Sequence, residues 1–229
     1  IAHSLYKASL FLMVGAVEHQ TGTRQLGELG GLRRQMRAWT LVTIIACLSM
    51  AGFPPMLGFI AKETLLDAML TSPVALAVVV FSAVLTIAMA LILVTEVFFG
   101  SQQTPASTAN PPNAEPDHHG HHPLSPLLLV GPAVLALGSL LMGVEVNLFV
   151  VPVIDPSIDH EFKLALFAGF NIPLFLSLTA FPSGLMVFTT RSIWRKAQMP
   201  VLPSAAAIYR TLVRRSEEHT SELQSPCNL

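Results

Sequence analysis

The chain has 229 residues, of which 52% are hydrophobic and 12% charged, with a mean hydropathy of +0.59. Soluble domains carry about 25% charged residues, so this composition is that of a membrane protein. A net charge of −1 gives nucleic-acid binding no electrostatic support, and the two cysteines, Cys47 and Cys227, suggest neither a disulfide framework nor a metal site.

The chain opens inside an apolar run at Ile1, without an initiator methionine or a signal peptide, and reads as a fragment. Residues 1–17, IAHSLYKASLFLMVGAV, are expected to form the first helix. His3 and Lys7 lie four positions apart and so share one helix face. Residues 18–38 read as a polar loop carrying Arg24, Arg33, Arg34 and Arg37.

Residues 39–70 are expected to form one broken membrane span. Two apolar halves flank Gly52-Phe53-Pro54-Pro55. Each half is too short to cross alone, and together they fit a hydrocarbon layer of about 30 Å. Proline donates no backbone N–H and clashes with the preceding turn, so the first half should end near Gly52. Lys62, Glu63 and Asp67 follow the break, inside the second apolar run. Irregular backbone at membrane depth survives only where protein or a watery cavity surrounds it. A lysine and a carboxylate just beyond such a break therefore mark a functional site by default.

Ser72-Pro73 opens the next span, which runs to about Phe99 with Glu96 near its end. Residues 100–124 are rich in proline, alanine and polar side chains, and by composition form a disordered linker. Its His118, His119, His121 and His122 lack fixed geometry and do not make a metal site. A further span covers about 125–147, with Glu145 near its end, and a short acidic loop follows with Asp155, Asp159 and Glu161. The last span is placed at about 163–190, loosened by Asn171 and interrupted by Pro173 and Pro182.

Basic loops set orientation. The arginine-rich loop 18–38 should be cytoplasmic, and the basic segment 191–215 lies four spans later, on the same side. Loop 100–124 is then cytoplasmic too. Residues 215–229, beginning RSEEHTSELQS, resemble the in-frame translation of a sequencing adapter and are set aside from fold reasoning.

The candidate site is the break with Lys62. A lysine in apolar surroundings, balanced by a nearby carboxylate, can take and release protons near neutral pH. Its mid-span place argues against simple snorkelling to the headgroups. Glu63 and Asp67 supply counter-charge, and His3 beside Lys7 forms a second relay candidate, since histidine titrates in the physiological range. No phosphate-binding loop, dinucleotide fingerprint, heme or iron–sulfur ligand set or nucleophile–base pair stands out, so no cofactor is expected.

Two stretches carry a family resemblance. HSLYKASLFLMVGAVEHQTGTRQLGELGGL and MAGFPPMLGFIAKETLL resemble the antiporter-like subunits shared by respiratory complex I and the Mrp-type multisubunit cation/proton antiporters. HQTGTR and LALFAGFNIPLFLSL favour the large A subunit of the Mrp type, and the likeness runs over residues 1–200. The resemblance implies an all-α, polytopic transmembrane helix bundle with a discontinuous helix near residues 53–58, built from inverted repeats. Residues 1–99 would then be the C-terminal part of the proton-translocating domain, within its second repeat, and residues 125–200 further transmembrane helices. Lys7, Lys62 and His3 would match positions on a hydrated proton axis, and Glu63 an acidic position beside the lysine. The implied partners are Na⁺ and H⁺ as transported ions, the other subunits of the complex and the lipid bilayer of a bacterial cell membrane. The alternative is a proton-pumping subunit of NADH:quinone oxidoreductase. One departure stands out: Phe167-Ala168 occupies the place of a tryptophan–histidine pair typical of the family.

Overall fold

A computed structural model describes residues 1–100, 125–154, 164, 166, 167, 169–196, 209 and 213. The linker 100–124 beyond Gly100, its histidines, the acidic residues Asp155, Asp159 and Glu161, Ala168, most of the basic segment after Lys196 and the tail 215–229 lie outside them. The chain divides into two compact units, Ile1–Thr189 and Thr190–Leu229.

The first unit is helical throughout its regular structure. Its main helices are α1 (Ala2–Thr21), α2 (Arg37–Ala51), α3 (Leu57–Ala68), α4 (Pro73–Val94) and α5 (Leu127–Val144). Two single turns, α6 (Val146–Phe149) and α7 (Val151–Ile154), follow, and then α8 (Ile172–Thr189). Helix α1 packs on α2 and α5, α2 on α4 and α5, and α4 on α8. Helix α3 packs against both α5 and α8, which places it inside the bundle. In the second unit the described helix is α9 (Arg191–Lys196).

Among the described residues three helices are long and apolar enough to cross a membrane: Pro73–Phe99, Leu127–Val144 and Ile172–Thr189. The chain is a multi-pass membrane protein. Much of the outer surface of α4, α5 and α8 is apolar and exposed, as at Val78, Phe81, Val134 and Leu178, which is the surface that lipid requires. Helix α1 has 20 residues but carries His3, Lys7, Glu18 and His19. Helix α2 has 15 residues, a length of about 22 Å, and is short of a full crossing.

Small residues set the helix–helix distances, as expected where lipid removes the hydrophobic drive between helices. A Cβ on Gly184 of α8 would lie 2.6 Å from Ile87 Cγ2 on α4. A Cβ on Gly143 of α5 would lie 2.2 Å from the Pro55 carbonyl oxygen and 2.5 Å from the Leu57 nitrogen. Buried hydroxyls join the same elements. Ser9 Oγ donates to the Pro132 carbonyl across α1 and α5 at 2.9 Å, and Ser49 Oγ meets Ser139 Oγ across α2 and α5 at 2.6 Å.

Two boundaries differ from the sequence reading. Helix α1 runs on to Thr21 rather than stopping near Val17, because Gly22 closes it in the left-handed region (φ 72°) and donates to the Glu18 carbonyl. Polarity alone does not end a helix; a C-terminal glycine does. Helix α8 begins at Ile172, not near residue 163. Asn171 does not loosen it: its side-chain oxygen accepts from the Leu174 N–H at 3.0 Å and caps the first turn. Pro173 lies in that first turn, where the missing N–H costs nothing, and the helix continues through Pro182.

Candidate functional site

The site is built on the gap between α2 and α3. Helix α2 stops at Ala51, and Gly52 follows with φ 69° and ψ 48°. Its N–H donates to the Ser49 carbonyl and the Phe53 N–H to the Leu48 carbonyl, both at 3.0 Å, which folds the chain back over the helix end. Pro54-Pro55 then rules out a continuing helix. Met56 stands in an extended conformation (ψ 150°), and α3 starts at Leu57. The two half-helices lie side by side at their ends: a Cβ on Gly58 would fall 1.8 Å from the Ser49 carbonyl oxygen. Gly143 of α5 covers the connecting backbone from the other side. Protein covers the two ends of the irregular stretch, at Gly52 and Met56, while Phe53 and Pro54 stay exposed on this chain.

Lys62 closes this gap. From the second turn of α3 its Nζ reaches back and donates to the Gly52 carbonyl at 3.1 Å. That carbonyl has no helical partner, because α2 has ended. A cation there meets both an unsatisfied acceptor and the negative end of the α2 dipole. Aromatic faces complete the pocket. Nζ lies 4.6 Å from the Phe181 ring centroid and 5.8 Å from that of Phe59, distances at which a ring quadrupole attracts a cation. Phe181 is itself held edge-on by Phe53 at 5.9 Å. The glycine is required twice over: a Cβ on Gly52 would sit 2.9 Å from Lys62 Cε.

Glu63 points elsewhere. Its Oε1 accepts a short hydrogen bond from Ser177 Oγ on α8, and it forms no ion pair with Lys62. Beside it lies a cavity of about 250 Å³ between α3 and the start of α8, lined by Glu63, Thr64, Asp67, Phe59, Asn171 and Leu174 among others. Glu63, Thr64, Asp67 and Asn171 offer polar partners, so this space can hold water. Asp67 is exposed at its edge. The structure therefore brings Glu63 and Asp67 to one cavity, while Lys62 turns back to the break at the start of α3. His3 and Lys7 are placed apart from them on α1. His3 is exposed, and its Nδ1 meets Tyr6 Oη at 2.9 Å rather than Lys7. Lys7 is half-buried. Nor do the described residues contain a group of three metal-binding side chains.

Comparison with known proteins follows the same lines. Residues 1–86 match the family described as "NADH:quinone oxidoreductase/Mrp antiporter, TM". The stretch covers α1, the break, Lys62 and the first half of α4. Beyond it the likeness continues. The chain is 32% identical over 219 residues to a Na(+)/H(+) antiporter subunit A1 of Staphylococcus aureus strain JH9, covering 86% of this chain and 26% of that protein. A subunit A1 of Staphylococcus saprophyticus is 29% identical over 213 residues, covering 85% of this chain and 25% of the relative. The chain also superposes on a chain in the Mrp complex of Dietzia sp. DQ12-45-1b with a TM-score of 0.68 and 26% identity, over 100% of its own length and 25% of the other. Residues 1–86 thus carry the membrane domain of the NADH:quinone oxidoreductase/Mrp antiporter family. The chain spans about a quarter of the length of the relatives it matches.

Several residues of this site escaped the sequence reading. Ser177, Phe181, Ser139 and Gly143 were not singled out, although each touches or supports the break. Two of them had a signal: Ser139 and Gly143 are four apart on α5 and form a small-xxx-small pair, as do Ala180 and Gly184 on α8. Ser177 and Phe181 are likewise one turn apart, but their partners come from α3, and no local pattern reveals that. Phe167 packs edge-on against Phe170 at 5.7 Å.

Proposed function

We propose that this chain is part of an A-type membrane subunit of a bacterial Mrp-type Na⁺/H⁺ antiporter, a transporter component rather than an enzyme. Lys62 carries the proton at the break. The observation behind this reading is the seat of its ammonium group, 3.1 Å from the carbonyl that ends α2. There the charge is held by one carbonyl and two ring faces, with no carboxylate locked onto it. A cation so held can lose its proton without breaking an ion pair. The polar cavity at Glu63 supplies the nearest water. Lys7 and His3 on α1 form the next station, reached through water, and Glu63 tunes each transfer through its charge.

Each charge that crosses is worth about 2.3 kcal/mol per 100 mV, so the membrane potential can drive the exchange. Residues 1–99 would close the second antiporter-like repeat, and residues 125–200 would add helices beyond it. The other subunits of the complex, Na⁺ and H⁺ are the partners, in the bacterial plasma membrane. A role in NADH:quinone oxidoreductase shares the family, but the named relatives are antiporter subunits.

The test is Lys62→Ala in the chromosomal gene, assayed as sodium-driven proton exchange in everted membrane vesicles. Exchange should vanish while the complex still assembles on a native gel. Wild-type exchange in that variant would end the proposal.

A further inference from the structure

Helix α8 carries four hydroxyl side chains: Ser177, Thr179, Ser183 and Thr189. Three of them turn back onto their own helix. Thr179 donates to Leu176, Ser183 to Thr179 and Thr189 to Met186, at 2.8–3.0 Å. That is the ordinary habit of helical Ser and Thr. Ser177 is the exception. It is 1% exposed, and its Oγ reaches across to Glu63 Oε1 on α3. Nothing on α8 or α5 brings another charged or titratable side chain to this contact.

A hydroxyl donating to a carboxylate is a charge-assisted bond, and it holds the carboxylate at a fixed place. The bond does two things here. It draws Glu63 to the α3–α8 interface, one turn of α8 from Phe181, whose ring faces the Lys62 ammonium. It also leaves the rest of the carboxylate facing the 250 Å³ cavity with Asp67 and Asn171. Neighbouring residues on a helix do not face each other, so Glu63 and Lys62 interact through space, at a distance set by what holds Glu63. Ser177 holds it.

We infer that Ser177 is a positioning residue for ion exchange: its hydroxyl fixes the Glu63 carboxylate between the water-holding cavity and the Lys62 seat. The inference rests on the proposed role of Lys62, because Ser177 acts only through Glu63. Without the hydroxyl, Glu63 swings into the cavity and its field at Lys62 weakens. Binding of the transported cation from solution is untouched, because Ser177 is closed off from it.

Three chromosomal variants test this in everted vesicles, each checked for assembly on a native gel. Ser177→Ala should lower maximal sodium-driven exchange about tenfold, with the apparent KM for Na⁺ changed less than twofold. Ser177→Thr keeps the donor and should restore at least half of the wild-type rate. Ser177→Cys matches the serine in shape but donates weakly; it should fall with the alanine variant, and it decides the matter if the alanine variant does not assemble. Wild-type turnover in an assembled Ser177→Ala or Ser177→Cys protein overturns the inference. So does a loss seen wholly in KM, or a threonine variant that assembles yet exchanges no better than alanine. Lys62→Ala run alongside separates the two ideas. Full exchange there overturns the function, whereas loss there with normal exchange in Ser177→Ala overturns only the role of Ser177.

Discussion

Replacing Gly52 with alanine should uncouple the lysine from the break, and a second glycine provides the control. Gly52 has φ 69°, a region that costs an L-residue about 1–2 kcal/mol. Its new Cβ would also lie 2.9 Å from Cε, 3.0 Å from Nζ and 3.1 Å from Cδ of Lys62. All three atoms belong to a flexible side chain, so the lysine gives way and the backbone stays. What is lost is a hydrogen bond from a charged donor, worth about 1.5–3 kcal/mol. The sum is about 2.5–5 kcal/mol against the docked arrangement, of which the larger part falls on Lys62. Gly22 has nearly the same backbone (φ 72°), but nothing lies within 4 Å of its would-be Cβ. Gly22→Ala therefore carries the backbone cost alone. Both variants should lower the thermal midpoint of the solubilised complex, Gly52→Ala by more than Gly22→Ala. Sodium-driven exchange in everted vesicles should fall at least tenfold in Gly52→Ala and stay close to wild type in Gly22→Ala. Equal exchange in the two would refute the reasoning, for the lysine contact would then carry no function.

Ser139→Ala should destabilise the assembled protein by about 1–3 kcal/mol, since it leaves the fully buried Ser49 hydroxyl without its 2.6 Å partner. The double variant with Ser49→Ala should recover part of that loss in thermal denaturation; simple additivity would contradict the pairing. Asn171→Ala should remove the cap of α8, at about 1 kcal/mol. Hydrogen–deuterium exchange would show it as faster exchange at the Leu174 amide, with Asn171→Asp close to wild type; an unchanged amide in Asn171→Ala would refute the cap.

The parts of this architecture that local chemistry decides were readable from the chain. Pro54-Pro55 after Gly52 announced the break, and the apolar runs announced the spans. Lys62 stood out because a lone cation inside such a run needs a reason. What escaped was of two kinds. Helix ends were misjudged where a cap outweighed polarity: Gly22 extends α1 and Asn171 starts α8, while hydropathy alone put those boundaries four to nine residues away. The partners of the site were missed because they arrive from distant sequence. Ser177 meets Glu63 across 114 positions and Ser139 meets Ser49 across 90, separations that no periodicity encodes. Conversely, one shared helix face led to a His3–Lys7 pair, yet the imidazole turns to Tyr6, three residues away and equally near on a helix.

The most direct measurement is sodium-driven exchange by Lys62→Arg. Arginine keeps the positive charge and can still donate to the Gly52 carbonyl, so the break stays closed and the complex assembles. It does not release its proton in the working pH range. If Lys62 is a proton carrier, the arginine protein assembles fully and exchanges no better than Lys62→Ala. If Lys62 is only a structural cation that staples α3 to the end of α2, the arginine protein exchanges at the wild-type rate, and the account is wrong.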